Sequence, residues 1–190
     1  MFDTLSQLPL HQRRHEQRHP LPGVITIIRR PTIDKGDRYL LIKRNADPYA
    51  GMWAMIGGKW EFGETLAAAI TREVREETGL NTIFIALRGI VNERIVFASA
   101  ADKAGHYILF VCEVFAPDGL AQEQFEGKVA WFTLEQIEDL NTVHQIIPND
   151  YAMMQQFAWA SAQPYVESET VCADAAHLQD TRLLRFQIVE

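Results

Sequence analysis

Residues 58–80, GKWEFGETLAAAITREVREETGL, carry most of the structural information in this chain of 190 residues. The segment predicts a helix over residues 65–78, since apolar side chains recur at helical spacing and Gly79 is suited to end a helix. Three glutamates, Glu73, Glu76 and Glu77, occupy positions i, i+3 and i+4. That spacing brings three carboxylates to one side of the helix, within reach of each other.

The apolar stripe of this helix decides between two interpretations of the glutamates. Carboxylates so close together repel one another, and negative charge is unfavourable near a helix C-terminus. A solvated acidic face is the usual role of a glutamate run. However, Glu77 falls inside the arc of the apolar stripe and Glu73 lies at its edge. Carboxylates beside packed surface cost several kcal/mol unless they are paired or bind a metal. The spacing therefore favours a site for a divalent cation. The stripe consists of Leu66, Ala67, Ile70 and Val74.

The flanking residues fit a longer pattern, G-x5-E-x7-R-E-U-x-E-E-x-G-U, in which U is a bulky aliphatic residue. Its specified positions are Gly58, Glu64, Arg72, Glu73, Val74, Glu76, Glu77, Gly79 and Leu80. This pattern resembles the signature box of the Nudix hydrolases, with every defining position filled. The resemblance to the wider family domain covers about residues 22–160. It implies an α/β protein with the Nudix fold, a mixed β-sheet sandwiched between α-helices.

The resemblance also implies an enzyme that hydrolyses a phosphoanhydride bond in a nucleoside diphosphate linked to another moiety, with Mg²⁺ or Mn²⁺ as cofactor. Such hard cations take oxygen ligands. By resemblance, Glu73, Glu76 and Glu77 are metal ligands, and one of them orients the attacking water. The backbone carbonyl of Gly57 or Gly58 is a further ligand, because glycine lets a metal approach the main chain.

Further charged residues belong to the same hypothesis. We expect Arg72 to pair with a neighbouring carboxylate and fix its rotamer. Glu64 begins the helix, where negative charge is favourable, and its role is either structural or catalytic. Many family members place a carboxylate in a loop before a Trp that opens a strand. Here Glu126 precedes Trp131 by five residues and is the candidate for a fourth ligand or general base, with Glu123 as the fallback.

The substrate is less well defined by the sequence. Lys59 follows the two glycines, as in family members that hydrolyse nucleoside triphosphates, and favours a substrate of that type. The alternatives are an ADP-ribose or nucleotide-sugar pyrophosphatase, or a non-catalytic nucleotide-binding regulatory module. Asn149 and Asp150 follow Pro148, where some relatives read the base edge. Capping of the last helix is the other interpretation of this pair, and the favoured one.

Aromatic and basic side chains offer further candidate contacts. Trp53, Trp60 and Tyr107 are candidates for stacking on a base, although aromatic residues in strands usually belong to the core or the sheet surface. Arg44 is a candidate phosphate contact. Lys43 and Arg94 are also candidates. The alternative for each of these basic residues is an ordinary solvated position at the end of a strand.

The composition of the chain limits the kinds of partner the protein can bind and its cellular location. The formal net charge is −7 without a long basic run, which argues against binding to a nucleic-acid duplex. Apolar runs are too short to cross a bilayer, and the N-terminus lacks the apolar segment of a secretory signal. Only two cysteines are present, of which Cys112 is predicted to be a buried thiol, so no disulfide framework is expected. These features predict a cytoplasmic protein, and the small nucleotide partner is what the resemblance implies.

Three segments are predicted: a tail at residues 1–20, a Nudix domain at 21–162, and a C-terminal extension at 163–190. The extension contains an alternating run at 182–189 that predicts a strand, which is compatible with a homodimer. In the tail, His11, His15 and His19 could share one helical face, but an exposed polar segment is the simpler account.

Strands are predicted at 23–30, 38–44, 52–56, 81–97, 106–115 and 127–132. The two later helices are predicted at 133–140, with Thr133 as N-cap, and at 149–160.

Overall fold

The computed structural model describes residues 19–32, 36–46, 49–97, 103–117, 119–159, 165–172 and 181–188. No helix within these ranges is long and apolar enough to cross a membrane. The strands are β1 (Leu21–Arg30), β2 (Arg38–Arg44), β3 (Trp53–Ala54), β4 (Ile56–Lys59), β5 (Ile83–Phe97), β6 (Lys103–Phe115), β7 (Gly127–Thr133), β8 (Tyr165–Cys172) and β9 (Arg182–Ile188). The α-helices are α1 (Leu66–Thr78), α2 (Leu134–Thr142) and α3 (Pro148–Met154), and a π-helical turn, Gln155–Trp159, follows α3.

The strands form one curled, mixed sheet in the order β3-β2-β1-β6-β5-β8-β9. Two pairs are parallel, β1 with β6 and β5 with β8, and the other pairs are antiparallel. β1 changes partner along its length, since β4 pairs with its first half and β2 with its last two residues. β7 extends the sheet beside β2. β1 therefore joins the β4 side and the β2 side of the sheet.

Helices pack on both faces of the sheet. On one face, Ile70 and Val74 of α1 join a core cluster that includes Val24 and Cys112. On the other face, the cluster contains side chains of α2 and α3, among them Ile137 and Met153. The predicted architecture, a mixed sheet sandwiched between helices, is therefore confirmed. The buried thiol predicted at Cys112 is also confirmed, and burial raises its pKa to about 12.

Local signals correctly placed the start of the first two helices and the end of the first, whereas α2 runs two residues beyond its predicted end. The side-chain oxygen of Thr65 accepts the N–H of Ala68 at the start of α1, and Gly79 ends that helix with a φ of 72°. Thr133 caps α2 as predicted and forms a reciprocal capping box with Gln136. Because these contacts lie within a few residues of each other, sequence spacing is sufficient to predict them.

Other boundaries differ from the prediction. The strand predicted at 52–56 divides at Met55, because β3 pairs with β2 whereas β4 pairs with β1. The helix predicted at 149–160 changes from α to π geometry after Met154. β8 was not predicted. Its buried side chains include Ser168 and Thr170 beside Val166, so its inward face lacks the apolar alternation of an ordinary strand.

The sheet continues into the C-terminal segment. β8 pairs with β5 over eight residues, and β9 pairs with β8. The division of the chain at residue 163 stays a prediction. His11 and His15 lie outside the described residues, so the interpretation of the N-terminal tail is untested.

Candidate functional site

Two of the three clustered glutamates of α1 are buried. Glu77 is 3% exposed and Glu73 is 8% exposed. The side chain of Glu76, in contrast, is 59% exposed. The helical-wheel prediction is thus confirmed, because the two acids near the apolar stripe lie against packed surface and the third faces solvent.

Glu77 has the most strongly perturbed carboxyl of the cluster. Its pKa is raised to about 8, first by burial and then by the negative charges of Glu126 and Glu73. The backbone N–H of Gly57, which donates to this carboxyl, and the positive charge of Arg44 act in the opposite direction. The protein therefore gathers negative charge around a buried carboxyl without supplying enough positive charge to balance it.

The two glycines that precede the box helix lie in β4. Gly57 is registered opposite Ile25 of β1, and Gly58 opposite Val24. A Cβ on Gly57 would lie 2.1 Å from the carbonyl oxygen of Val24, so the main chains approach too closely for any side chain. Gly58 lies against the carboxylate of Glu73. This places backbone atoms of β4 beside the two buried acids of α1.

Arg72 is the hub of the ion-pair network around these acids. Its Nε donates to Glu64 Oε1 at 2.7 Å and its Nη2 to Glu64 Oε2 at 3.0 Å. Its Nη1 donates to Glu73 at 2.8 Å and to Glu76 at 3.3 Å, and Nη2 also donates to the carbonyl of Lys59 at 3.0 Å. Five guanidinium N–H groups thus meet five acceptors. The predicted pairing of Arg72 is confirmed, and the contact gives Glu64 a structural role.

A cavity of about 220 Å³ lies beside Glu77. Its wall contains Arg44, Gly57 and Glu126 from among the predicted site residues. Glu73, Glu76, Gly58, Lys59, Asn149 and Asp150 are not part of this wall. The remaining lining residues are Ile42, Asn45, Ala46, Met55 and Phe125. The fold therefore brings Glu126 to Glu77 across a sequence separation of 49 residues, whereas Glu123 is exposed and lies outside the wall.

Asn149 and Asp150 do not cap α3, and that prediction is wrong. The N-cap position is Ile147, which makes no side-chain capping bond, and Pro148 occupies the first turn. Asp150 is buried and instead accepts the N–H of Met55 at 2.7 Å. Asn149, 1% exposed, donates to Glu93 Oε1 at 2.9 Å. Both side chains serve tertiary contacts because the first turn of α3 is enclosed by the sheet.

The three aromatic candidates for stacking on a base pack within the protein, as is usual for aromatic residues in strands. Trp53 is buried and makes an edge contact with Phe132, with ring centroids 4.6 Å apart. Trp60 packs edge-on against Phe110 at 4.9 Å. Tyr107 packs against the core cluster that includes α2 and α3. The position that sequence reasoning missed is Phe125, whose only signal was its place beside Glu126.

The three basic residues that were candidates for contacting phosphate lie in different surroundings. Arg94 forms an ion pair with Glu169 at 3.4 Å. The ammonium of Lys43 lies 5.9 Å from the ring centroid of Trp53. Arg44 is the one of these three basic residues that lines the cavity. It is therefore the best placed of the three to meet an anion next to Glu77.

The oxygen atoms available at the site are of the type that binds a hard divalent cation. Among the described residues, no group of three or more His, Cys, Asp or Glu side chains is already arranged to hold a metal. Glu73 is turned towards Arg72, and Glu76 is exposed. Even so, carboxylates and glycine carbonyls are the ligands that Mg²⁺ and Mn²⁺ prefer. The raised pKa of the buried Glu77 marks the point where a cation would relieve the most repulsion.

Comparison with known proteins identifies the family. The family model of the NUDIX domain matches residues 19–157, about three-quarters of the chain. The chain belongs to the Nudix family. An ADP-ribose pyrophosphatase of Methanocaldococcus jannaschii is 33% identical over 135 residues, which cover 70% of this chain and 73% of that relative. The nucleoside triphosphatase NudI of Enterobacter sp. is 32% identical over 119 residues, 58% of this chain and 84% of that relative.

Solved structures support the fold of this Nudix hydrolase. A MutT protein from Bacillus halodurans superposes with a TM-score of 0.65 at 21% identity, covering 88% of this chain and 96% of that one. Membership of the family, together with its pyrophosphatase relatives, confirms the predicted enzyme class.

The Nudix box residues divide into two groups by environment. Glu64 and Arg72 form the supporting ion pair, and Val74 anchors the helix in the core. Glu73 and Glu77 are held against β4. Residues of the Nudix box therefore hold the two buried carboxylates in place through ion pairs and core packing.

Proposed function

We propose that this Nudix hydrolase cleaves a phosphoanhydride bond of a nucleoside triphosphate, with Mg²⁺ or Mn²⁺ bound beside Glu77. The observation that carries the proposal is the environment of Glu77 in the cavity wall. Its carboxyl is buried, burial and the negative charges of Glu126 and Glu73 raise its pKa to about 8, and a cavity lies next to it. Without a cation, this arrangement is electrostatically unfavourable. A bound divalent cation would balance the negative charges of these acids and of a substrate polyphosphate.

The proposed metal ligands are the carboxylates of Glu73, Glu76 and Glu77, with the carbonyl of Gly57 or Gly58. A cation held there would neutralise charge on the phosphates and make attack by water easier. Arg72 and Glu64 hold Glu73 in place through the hydrogen bonds described above. Arg72 thus acts as a positioning residue, because each of its N–H groups already has an acceptor in the protein.

Two residues of the cavity wall have proposed roles toward substrate and water. Arg44 lines the cavity and lowers the pKa of Glu77 through its positive charge, so it is close enough to contact a phosphate bound there. Glu126 is exposed at the same wall. We assign it the role of general base, which accepts a proton from the attacking water. Hydrolysis then requires positioning and charge balance rather than a covalent intermediate on the protein.

A triphosphate substrate is supported by Lys59 after the two glycines and by the similarity to the nucleoside triphosphatase NudI. ADP-ribose is the second candidate, because the relative from Methanocaldococcus jannaschii, at 33% identity over 70% of this chain, is an ADP-ribose pyrophosphatase. A purely regulatory module is disfavoured because every acidic position of the box is present. Asn149 and Asp150 are buried in the first turn of α3, so either residue could contact a base only if this turn moved away from the sheet.

A hydrolysis screen tests the proposal. The purified protein is incubated with Mg²⁺ and, separately, with nucleoside triphosphates, ADP-ribose, NADH, dinucleoside polyphosphates and nucleotide sugars, and products are separated by ion-exchange chromatography. We expect release of pyrophosphate or phosphate from triphosphates, and loss of that activity with EDTA. Faster cleavage of ADP-ribose would select the second candidate. Absence of hydrolysis across the whole panel would reject the enzymatic proposal.

A further inference from the structure

Phe125 is an exposed phenylalanine in the wall of the cavity beside Glu77. It is 94% exposed, yet it is also one of the residues that line the cavity. Its side chain therefore stands at the mouth rather than in the interior. A large apolar side chain in this position loses the stabilisation that burial would give it. Because the ring is almost fully exposed at the edge of this cavity, it has a surface available for a ligand.

The carbonyl groups of Phe125 and of the next residue, Glu126, are both held by one residue of the facing loop. The side-chain amide of Asn45 donates to the carbonyl oxygen of Phe125. The backbone N–H of Asn45 donates to the carbonyl of Glu126 at 3.2 Å. These two hydrogen bonds fix the position of Phe125 relative to the cavity. An exposed ring on a fixed backbone is preorganised for a contact, since less conformational entropy is lost when a ligand binds.

The size of the cavity indicates which part of a nucleotide reaches Phe125. Sites that enclose a complete small ligand usually measure about 300–1,000 Å³. The cavity beside Glu77 measures about 220 Å³ and contains Arg44, Glu77 and Glu126, which suit phosphates and a cation. A nucleotide with its phosphates here would place its base outside, at the mouth. Phe125 is the exposed aromatic residue at that mouth within the described part of the chain.

We propose that Phe125 is a base-stacking residue of this enzyme, which binds the aromatic base of the nucleotide while the cavity holds its phosphates. This proposal rests on the proposed function and adds a recognition residue to it. A phenyl ring stacks on the face of any base and offers no hydrogen bond to a base edge. Phe125 therefore contributes affinity for nucleotides over base-free phosphates, with little preference among bases.

Steady-state kinetics on four variants test the role of Phe125 in hydrolysis. With the nucleotide that wild type cleaves fastest, F125A and F125L are expected to raise KM at least about fivefold with little change in kcat, since stacking contributes binding energy away from the reacting bond. F125W keeps an aromatic face and should retain a KM close to that of wild type. F62A is the matched control, because Phe62 is equally exposed and lies outside the cavity wall. Equal KM values for F125A and wild type, or equal increases in F125A and F62A, would overturn the proposal.

A binding measurement separates this proposal from the hydrolytic one. With Mg²⁺ present, the indole fluorescence of F125W is titrated with AMP and with ribose 5-phosphate, and wild type provides the background of the native tryptophans. Quenching by AMP that exceeds both the ribose 5-phosphate signal and the wild-type background supports stacking. Identical responses to the two ligands contradict it. Inactive wild-type protein together with AMP-specific quenching would reject the hydrolytic function and leave the stacking residue in place.

Discussion

The carboxylate of Glu73 occupies the space that a side chain on Gly58 would need. A Cβ placed on Gly58 would lie 2.6 Å from Glu73 Oε2 and 2.7 Å from Oε1. Both distances are well below van der Waals contact. Gly58 thus allows a buried carboxylate to rest against the main chain of β4.

Alanine at the two glycines of β4 should have different consequences. In G58A the obstacle is a side chain, so Glu73 can rotate away; we expect the fold to survive and activity to fall by about 100-fold or more. In G57A the obstacle is the main chain of Val24, so the sheet itself must shift. We therefore expect G57A to lower the melting temperature more than G58A does. Thermal unfolding and hydrolysis assays on both variants measure this, and a fully active G58A would contradict it.

Replacing the carboxyl of Glu77 with an amide should affect activity and stability in opposite directions. E77Q is expected to reduce kcat by at least about 100-fold and to raise the melting temperature in EDTA, because the folded protein no longer has to keep a buried carboxyl protonated near neutral pH. It should also lose the stabilisation that Mg²⁺ gives to wild type. E123Q is the matched control, since Glu123 is exposed and outside the cavity wall. If E77Q kept wild-type activity and the same response to Mg²⁺, Glu77 would not be a metal ligand.

Arg72 should be sensitive even to a change that preserves its charge. R72K cannot supply five donors in a planar fork, so Glu64 and Glu73 lose fixed partners. We expect a decrease of about 10- to 100-fold in affinity for Mg²⁺, the usual cost of disturbing groups that orient metal ligands. The affinity is measured by titrating the melting temperature with Mg²⁺. R75K serves as a control because Arg75 is an exposed residue of the same helix, and equal effects of R72K and R75K would refute the positioning role.

Ser168 connects the C-terminal strands to α3. Its Oγ donates to Asn149 Oδ1 at 2.6 Å, and both residues are buried. S168A leaves this acceptor without its donor and should lower the free energy of unfolding by about 1–3 kcal/mol. Thr170, two residues further along β8, has a buried hydroxyl with no hydrogen-bond partner within the described residues. T170V should therefore be neutral or stabilising in urea unfolding, and a larger loss in T170V than in S168A would contradict the assigned contact.

Asp150 should make stability depend on pH. Burial raises its pKa from 3.8 to about 6, despite the N–H of Met55 that stabilises the ionised form. Between those two values the folded protein keeps a proton that the unfolded chain releases, so rising pH favours unfolding. The contribution is lost progressively from about pH 4 to pH 6 and corresponds to about 3 kcal/mol as an upper bound.

The variant D150N isolates this contribution. Its amide does not titrate, and its oxygen can still accept the N–H of Met55. Melting temperatures of wild type and D150N are compared from pH 4 to pH 7. We expect the difference between them to shift in favour of D150N as pH rises. A difference that stays constant over this range would show that Asp150 is ionised in the folded protein throughout.

Much of the first helix could be predicted without a structure. The burial of Glu73 and Glu77, the exposure of Glu76 and the cap at Gly79 follow from helical periodicity and from contacts within one or two turns. The pairing of Arg72 with Glu73 and Glu76 has the same origin, because their separations are one and four residues. Local hydrogen bonding sets all of these features, and a sequence records local spacing directly.

The remaining parts of the site depend on contacts between distant segments. Asn149 and Asp150 look like capping residues in sequence, yet the fold directs them to Glu93 and Met55. Spacing along the chain does not encode which strand lies opposite another or in which register. Those choices depend on how the whole set of strands and helices buries its apolar surface. For this reason the glutamates of α1 were predictable as a charged cluster, and Glu126 was a candidate only through the family resemblance. The place of Phe125 beside Glu77 became visible only in the folded sheet.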